Sequence, residues 1–291
     1  MYLNYFHLRE EPFNNTPDPR FLYLSRQHEE ALESLLYGIR ERKGFMAVIG
    51  EIGTGKTTLC RTLITRLDSQ VDTSVIFNPM LSVSELLMAI NDDFGNRRTS
   101  QTSVKAQIDS LNRFLLGRLK QNKNAVVIVD EAQHLTTEAL EMLRMLSNLE
   151  TANKKLLQII FLGQIELNDK LGSPELKQLN QRIAIRYLLG PLTYPETCDY
   201  IVHRLSLVTK DLPIQFEERA MKHIYKYSRG IPRLINTLCD RALLDAYACR
   251  KPFVTKKMIS RVKADVDGVL NTSGAHMIKP PRVSFLRRLF S

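Results

Sequence analysis

The sequence contains no tryptophan and only four cysteines among its 291 residues. Cys60, Cys198, Cys239 and Cys249 lie far apart, and their spacing matches none of the patterns that bind a metal ion. The segment around each cysteine has the periodicity of an amphipathic helix. The spacing therefore argues against a zinc-binding domain, and we expect ordinary buried thiols.

Long apolar segments are also missing. No stretch approaches the roughly 18 consecutive apolar residues that a membrane-spanning helix needs. Residues 1–7 lack the charged-then-apolar order of a signal peptide. We therefore expect a soluble protein of the cytoplasm.

Positive charge is in excess. The formal net charge is +10, but the basic residues are spread along the chain, and such an excess most often belongs to a solvated surface. Nucleic acid, an anionic membrane face and a bound nucleotide remain candidate partners. Hydrophobic residues make up 44% of the chain, which is enough to bury a sizeable core.

Short apolar runs alternate with longer amphipathic segments in the first two thirds of the chain. This alternation predicts an α/β fold with a mostly parallel sheet that helices cover on both faces. The expected strands span residues 45–49, 74–77, 125–129, 156–162 and 183–189.

Beyond residue 190 the strand-like runs stop, and three or four helical stretches predict a small all-helical second domain. The tail contains Gly, Ser and a Pro pair, and its end interleaves arginines with apolar residues over 282–290. Three alternatives stay open for that end: contact with an anionic membrane, docking on a partner, or a frayed terminus. We expect an N-terminal segment and helix at 1–42, an α/β core at 43–190, a helical domain at 191–267 and a flexible basic tail at 268–291.

A phosphate-binding motif follows the first expected strand. The pattern G-x-x-x-x-G-K-[ST] predicts a loop whose backbone N–H groups converge on phosphates at the start of a helix. Lys56 is expected at the β- and γ-phosphates of ATP, and the Thr57 hydroxyl on Mg²⁺. The alternative interpretation is a glycine-rich turn before a helix. Such a turn does not require the preceding strand, so the observed context favours a phosphate-binding loop. The expected nucleotide-binding residues are Gly50, Glu51, Ile52, Gly53, Thr54, Gly55, Lys56, Thr57 and Thr58.

Two acidic residues end the third expected strand. Asp130 and Glu131 follow an apolar run at 125–129, and parallel sheets bind ligands at the carboxyl ends of their strands. Asp130 is expected to hold Mg²⁺, directly or through water, and Glu131 to act as the general base on the attacking water. Without the phosphate loop, a pair of acids that caps the next helix would be the better interpretation. Together the two motifs predict hydrolysis of ATP.

Three further polar residues follow in a suggestive order. Gln164 ends the fourth expected strand, Arg182 precedes the fifth, and Arg233 opens a helix of the second domain after Gly230-Ile231-Pro232. Taken singly, the glutamine is equally well explained as a turn residue and the arginines as solvated side chains. The order of these residues along the chain, together with the phosphate loop and the acidic strand end, favours a functional role for them.

That order resembles the AAA+ ATPases. The resemblance implies that Gln164 is sensor 1, that Arg182 is the arginine finger on a neighbouring subunit's nucleotide, and that Arg233 is sensor 2. Arg186 is an alternative finger, because both arginines flank the same stretch. The resemblance also implies a homo-oligomer, either a ring or a partial ring.

The N-terminal segment carries a closer resemblance, to the ExeA/MshM family, also called general secretion pathway protein A. In that family the ATPase supports type II secretion or type IV (MSHA-like) pilus machinery at the inner membrane, so the resemblance implies partners among those components and a place at the cytoplasmic face. The motifs that carry it are Tyr5-Phe6-His7-Leu8, Glu11-Pro12-Phe13, the stretches 16–24 and 28–32, the phosphate loop, Asp130-Glu131-Ala132-Gln133 and Gly230-Ile231-Pro232-Arg233.

The sequence departs from the ExeA pattern at its C-terminus. ExeA-type members continue into a membrane-spanning helix and a periplasmic peptidoglycan-binding part, whereas this sequence stops at Ser291, as in the shorter MshM-like form. The peptidoglycan role is therefore not expected here. Whether Ser291 is a natural end or a truncation stays open.

The N-terminal segment also suggests a role without the resemblance. Phe13, Pro17, Tyr23 and His28 are aromatic or rigid groups just before the first strand. They are placed either to wall an adenine pocket or to cover the edge of the sheet, and both roles are compatible.

Two other functions compete with a secretion or pilus ATPase. A DNA-associated AAA+ ATPase of the transposition-regulator or replication-initiator kind fits the basic charge, although we find no helix-turn-helix or zinc finger, so nucleic acid is not favoured. A switch that hydrolyses ATP slowly differs mainly in rate, and Glu131 argues against it.

Overall fold

The computed structural model describes residues 2–96, 103–151, 154–209 and 214–272. The strands are β1 (Phe45–Gly50), β2 (Val71–Ile76), β3 (Asn124–Val129), β4 (Gln158–Gly163), β5 (Ile183–Leu189), β6 (Gln215–Phe216) and β7 (Phe253–Val254). The α-helices are α1 (Tyr2–Tyr5), α2 (Arg26–Arg40), α3 (Lys56–Arg66), α4 (Val83–Asp93), α5 (Val104–Lys120), α6 (Thr137–Leu146), α7 (Ile165–Leu171), α8 (Lys177–Gln181), α9 (Tyr194–Ser206), α10 (Glu218–Ser228), α11 (Pro232–Ala248) and α12 (Lys256–Thr272). Short 3-10 helices span Pro19–Phe21, Ala132–His134 and Pro174–Leu176.

Strands β1 to β5 form one parallel sheet in the order β2-β3-β4-β1-β5. β1 lies between β4 and β5, with Ala47 opposite Phe161 on one side and Arg186 on the other. Each connection between parallel strands needs a crossover, which helices supply here. The α/β fold expected from the alternating pattern is confirmed.

Alternate residues of each central strand enter two separate hydrophobic clusters. In β1, Phe45, Ala47 and Ile49 pack with residues of α4 to α7, whereas Met46 and Val48 pack with residues of α2 and α3. β1, β3 and β4 are buried along their whole lengths. Helices therefore cover both faces of the sheet, as continuous apolar strands require.

Capping residues explain where several helices begin. Ser25 accepts a hydrogen bond from the backbone N–H of His28 at the start of α2, and Ser82 forms a complete capping box with Glu85 at the start of α4. The side chain of Thr136 caps α6 by accepting a hydrogen bond from the backbone N–H of Ala139.

The chain divides into two compact units. The described residues of one lie within Pro17–Gly190, and those of the other lie within Met1–Thr16 and Pro191–Ser291. The division falls inside the N-terminal segment 1–42, which the sequence predicts as one part of the chain. In the second unit, α9 to α12 pack together, and Arg204 donates hydrogen bonds to the backbone carbonyls of Pro12 and Asn14. Phe13 is buried there and packs its ring against Phe216. Residues near the start of the chain therefore pack within this second unit, which is called the helical unit below.

Several sequence expectations need correction. The second unit is not purely helical, because β6 and β7 form a short parallel pair; two-residue strands are too short to leave a periodic pattern. α12 continues past Gly268 to Thr272, where a flexible tail was expected, and the remaining tail, including 282–290, lies outside the described residues. Cys60 and Cys239 are buried, but Cys249 is exposed, so the expectation of buried thiols is wrong for it. No helix in the described part of the chain is long and apolar enough to cross a membrane.

Candidate nucleotide site

The carboxyl ends of β1, β3 and β4 bring the predicted site residues to one edge of the sheet. The phosphate loop follows β1 at Gly50, Asp130 follows β3, and Gln164 follows β4. β4 lies between β1 and β3, so its end lies between the loop and the acids. Ligands of open parallel sheets bind at this edge.

Two glycines of the loop are required by its geometry. A Cβ atom at Gly50 would lie 2.4 Å from the carbonyl oxygen of Leu189 on the neighbouring strand. Gly55 has φ +99°, a conformation that residues with a side chain rarely adopt, and it caps α3 without a side-chain hydrogen bond. The first N–H groups of α3 are therefore left to a ligand, and the helix presents its positive end to that ligand.

The side chain of His28 contacts the backbone of the phosphate loop. It is 3% exposed, its Nε2 lies 3.0 Å from the carbonyl oxygen of Thr54, and its Nδ1 lies 2.6 Å from Ser25 Oγ. Since a carbonyl only accepts, Nε2 carries the proton in this contact. A Cβ at Gly55 would come within 3.1 Å of His28 Nε2, so the missing side chain also makes room for the ring.

Lys56 is the first residue of α3 and is only 5% exposed. Its Nζ donates to the carbonyl oxygens of Gly50 and Glu51, each at 2.9 Å. Burial lowers the pKa of Lys56, while the nearby charges of Glu131 and Asp130 oppose that effect. An ammonium group has three donors, so two loop contacts leave one for a phosphate oxygen.

Thr57 and Asp130 meet directly. Thr57 Oγ1 donates to Asp130 Oδ2 at 2.7 Å, and Asp130 Oδ1 accepts from the backbone N–H of Glu131 at 2.9 Å. Burial raises the pKa of Asp130, and these two hydrogen bonds oppose the rise.

This pair of oxygens fits Mg²⁺. Neighbouring ligands of an octahedral magnesium ion are about 3 Å apart, close to the separation of the hydroxyl and carboxylate oxygens of Thr57 and Asp130. Within the described residues no group of three or more His, Cys, Asp or Glu side chains is arranged to hold a metal. Mg²⁺ needs no such cage, because it keeps several waters and binds through one carboxylate and the substrate's phosphates.

Glu131 is held by two amide groups. Its Oε2 accepts from Gln133 Nε2 at 2.6 Å and from Gln164 Nε2 at 3.0 Å. Burial alone raises the pKa of Glu131, but these hydrogen bonds and the charge of Lys56 lower it overall, which favours the carboxylate. The sequence-predicted base and sensor 1 are therefore in direct contact.

The candidate finger Arg182 lies away from this edge. Arg182 follows α8 as its C-cap, just before β5, where Ile183 is paired with Phe45 at the start of β1. The six residues of β1 span about 17 Å between that end and the phosphate loop. Arg182 donates to Ser147 Oγ and Asn148 Oδ1, at 2.9 and 2.6 Å.

Arg186 lies on the exposed side of the edge strand β5 and donates to Asn168 Oδ1 at 2.7 Å and to Asn180 Oδ1. Arg233 belongs to the helical unit, where it is exposed in the first turn of α11. Of the suggested adenine wall, Phe13 belongs to the helical unit, and His28 contacts the carbonyl oxygen of Thr54 in the loop.

Sequence reasoning missed two contributions to the site. The sequence predicts His28 as a wall of an adenine pocket or a cover for the edge of the sheet, and as part of a family motif, but not as a contact of the phosphate loop. It predicts Gln133 only as part of a family motif. A polar residue two positions after the candidate base was the available signal for Gln133. No local pattern could place His28 beside Thr54, because 26 residues separate them in the chain.

Comparisons with known proteins agree with this geometry. The family model described as "AAA domain" matches residues 39–171. General secretion pathway protein A of Aeromonas hydrophila is 42% identical over 269 residues, covering 92% of this chain and 49% of that protein. This chain thus spans about half the length of that relative.

Solved structures share the fold at low identity. The Aeropyrum pernix ORC2 protein is 17% identical with a TM-score of 0.64, covering 93% of this chain and 73% of that one. Drosophila ORC bound to DNA is 18% identical with a TM-score of 0.67, covering 91% of this chain and 67% of that one. With the phosphate loop, the acidic strand end and the secretion-pathway relative together, the chain belongs to the AAA+ ATPases of the general secretion pathway protein A family.

Proposed function

We propose that this chain binds Mg·ATP at the edge formed by β1, β3 and β4 and hydrolyses it to drive assembly or function of a type II secretion or type IV pilus machinery. The contact between Thr57 and Asp130, beside Lys56 and Glu131, is the observation that supports binding and hydrolysis of Mg·ATP. The relationship to general secretion pathway protein A supports the proposed role in a secretion or pilus machinery.

Each site residue has a separate task in this proposal. The loop from Gly50 to Thr58 wraps the phosphates with backbone N–H groups, and Lys56 adds a positive charge at the β- and γ-phosphates. Thr57 and Asp130 hold Mg²⁺, which neutralises charge on the phosphates. Glu131 takes a proton from the attacking water, and Gln164 orients that water or the γ-phosphate.

Arg182 is proposed to act on the nucleotide of a neighbouring subunit. Its place at the amino ends of the strands leaves it about 17 Å from its own phosphate loop, which is too far for an arginine side chain to reach. A second copy of the chain would have to bring its site to Arg182, so the active form is an oligomer. Arg186 is the alternative finger, and Arg233 is proposed as sensor 2.

The place of action is proposed from the relationship to general secretion pathway protein A. We place the chain at the cytoplasmic face of the inner membrane, with secretion or pilus components as its partners. The basic tail at 282–290 would add a peripheral membrane contact.

A complementation experiment tests the proposed role in a secretion or pilus machinery. In the source organism, we expect deletion of the gene to abolish protein secretion or surface pili, and the unaltered gene to restore them. Lys56→Ala should be expressed at the same level and fail to restore either. Normal secretion and piliation in the deletion strain would contradict this assignment.

The net charge of +10 motivates one alternative, an ATPase that acts on DNA. Phosphate contacts make DNA affinity fall steeply with salt. The secretion proposal expects no binding of duplex DNA at low salt, whereas tight, salt-sensitive binding that ATP alters would favour the alternative.

A further inference from the structure

Gln133 lies in the short 3-10 helix Ala132–His134 that follows β3, and its side chain joins the ends of two strands. Its Nε2 donates to Glu131 Oε2 at 2.6 Å, and its Oε1 accepts from the backbone N–H of Gln164 at 3.1 Å. Gln164 Nε2 donates to the same Glu131 oxygen at 3.0 Å. The three residues therefore form a closed ring of hydrogen bonds.

The chemistry of this ring requires an amide at position 133. A carboxylate oxygen can only accept and a backbone N–H can only donate, so the side chain between them must offer one donor and one acceptor. This requirement also fixes which way the amide of Gln133 points. Glutamate would lose the donor, and methionine would lose both groups.

Neighbouring residues leave space for this ring of hydrogen bonds and hold the turn that contains Gln133. A Cβ atom at Gly163, the last residue of β4, would lie 3.2 Å from Gln133 Oε1. Lys170 of α7 donates to the carbonyl oxygens of Gln133 and Leu135. Glu131 itself has φ +51°, an uncommon conformation for a residue with a side chain, which persists only when its surroundings fix it.

We propose that Gln133 is a positioning residue for ATP hydrolysis, which ties the carboxylate of Glu131 to the end of β4 so that Glu131 and Gln164 are oriented as one unit. This inference rests on the proposed function, in which Glu131 is the base and Gln164 faces the γ-phosphate. Gln133 touches neither ATP nor water in this scheme and acts through Glu131. Its loss frees the rotamers of Glu131 and leaves the N–H of Gln164 without its acceptor.

The test compares the full chain with Gln133→Met, which keeps the length of the side chain and removes both hydrogen-bonding groups. We expect kcat to fall between about tenfold and a hundredfold, as misplacement of a reacting group does. The KM for ATP and the affinity for a fluorescent ATP analogue should stay within about twofold of the unaltered chain. Gln121→Met, at an exposed position after α5, is the matched control and should have unaltered kcat.

A second arm separates positioning from general support of the fold. In single-turnover reactions with excess protein, adding Gln133→Met to Glu131→Gln should cause no further loss, because the residue acts through Glu131. Gln133→Glu, which keeps the size but cannot donate, should lower kcat at least as far as Gln133→Met. It serves as the measured variant if Gln133→Met does not fold.

Failure of this inference can be told apart from failure of the proposed function. If Glu131→Gln abolishes steady-state turnover but Gln133→Met has normal kcat, the positioning role is overturned alone. The same holds if Gln133→Met lowers the residual single-turnover rate of Glu131→Gln by the factor by which it lowers the rate of the unaltered chain. If the unaltered chain has no ATPase activity, or Glu131→Gln retains it in full, both are overturned.

Discussion

Thr57 Oγ1 donates a hydrogen bond of 2.7 Å to Asp130 Oδ2, which joins the helix after the phosphate loop to the end of the acidic strand. Both oxygens would contact Mg²⁺ in the proposed site. Thr57→Val should therefore weaken binding of Mg·ATP by about tenfold to a hundredfold, the usual effect of losing a contact to a charged group. A fluorescent ATP analogue titrated with Mg²⁺ and with EDTA measures this, and only the Mg²⁺-dependent gain in affinity should disappear.

The control for that experiment lies on the same helix. Thr65→Val removes the hydroxyl of an exposed residue, which donates to the carbonyl oxygen of Thr62, and it should bind Mg·ATP normally. Undiminished Mg²⁺ dependence in Thr57→Val would remove the residue from the metal site.

His28→Asn tests the support behind the phosphate loop. Asparagine is too short to reach the carbonyl of Thr54, and a buried acceptor without its partner costs about 1–3 kcal/mol. The free energy of unfolding in urea should fall by about that amount, and ATP affinity should fall with it. His7→Asn is the control, because His7 is exposed with φ +54°, a conformation that asparagine tolerates. Unchanged unfolding and affinity in His28→Asn would show that the loop does not depend on this contact.

Two glycine substitutions should change stability in opposite directions. Gly50→Ala places a Cβ atom 2.4 Å from Leu189 O, and such overpacking costs about 1–3 kcal/mol. Gly117 lies within α5, and in the described part of the chain no atom outside the adjoining backbone of that helix lies within 4 Å of an added Cβ, so Gly117→Ala should stabilise by about 0.5–1 kcal/mol. Urea unfolding of both variants measures the difference, and equal shifts would contradict the crowding at Gly50.

The sequence predicted the middle of the sheet because β1, β3 and β4 are buried on both faces and are therefore mostly apolar. β5 was predicted with its observed bounds, 183–189, and β3 to within one residue at its start. β2 was placed too late, because Val71, Asp72 and Thr73 at its start are only partly buried on an edge strand and break the apolar run.

The motifs predicted which residues meet at the site, since parallel strands end at one edge. They did not predict how those residues contact one another. The ring of Glu131, Gln133 and Gln164 depends on two amide orientations and on the turn after β3, which leave no periodic signal. Tertiary contacts of this kind become visible only in the folded chain.

Arg182→Ala should lower turnover by roughly 10³-fold or more if its guanidinium serves a neighbouring subunit, as arginine fingers do in related chemistry. Mixing it with Lys56→Ala should restore part of the activity, because some interfaces then pair an intact arginine with an intact phosphate loop. Arg186→Ala, mixed in the same way, tests the alternative finger. If the two proteins co-assemble in light scattering and the mixture stays inactive, Arg182 is not the finger.

The most direct test of the account measures ATP binding and phosphate release for Lys56→Ala and Glu131→Gln beside the unaltered chain. Lys56→Ala should lose nucleotide binding, because it removes the buried positive charge beside the phosphates. Glu131→Gln should bind ATP as the unaltered chain does and release almost no phosphate, since an amide cannot take the proton from water. Full phosphate release by Glu131→Gln, or normal ATP binding by Lys56→Ala, would contradict the assignment of this site.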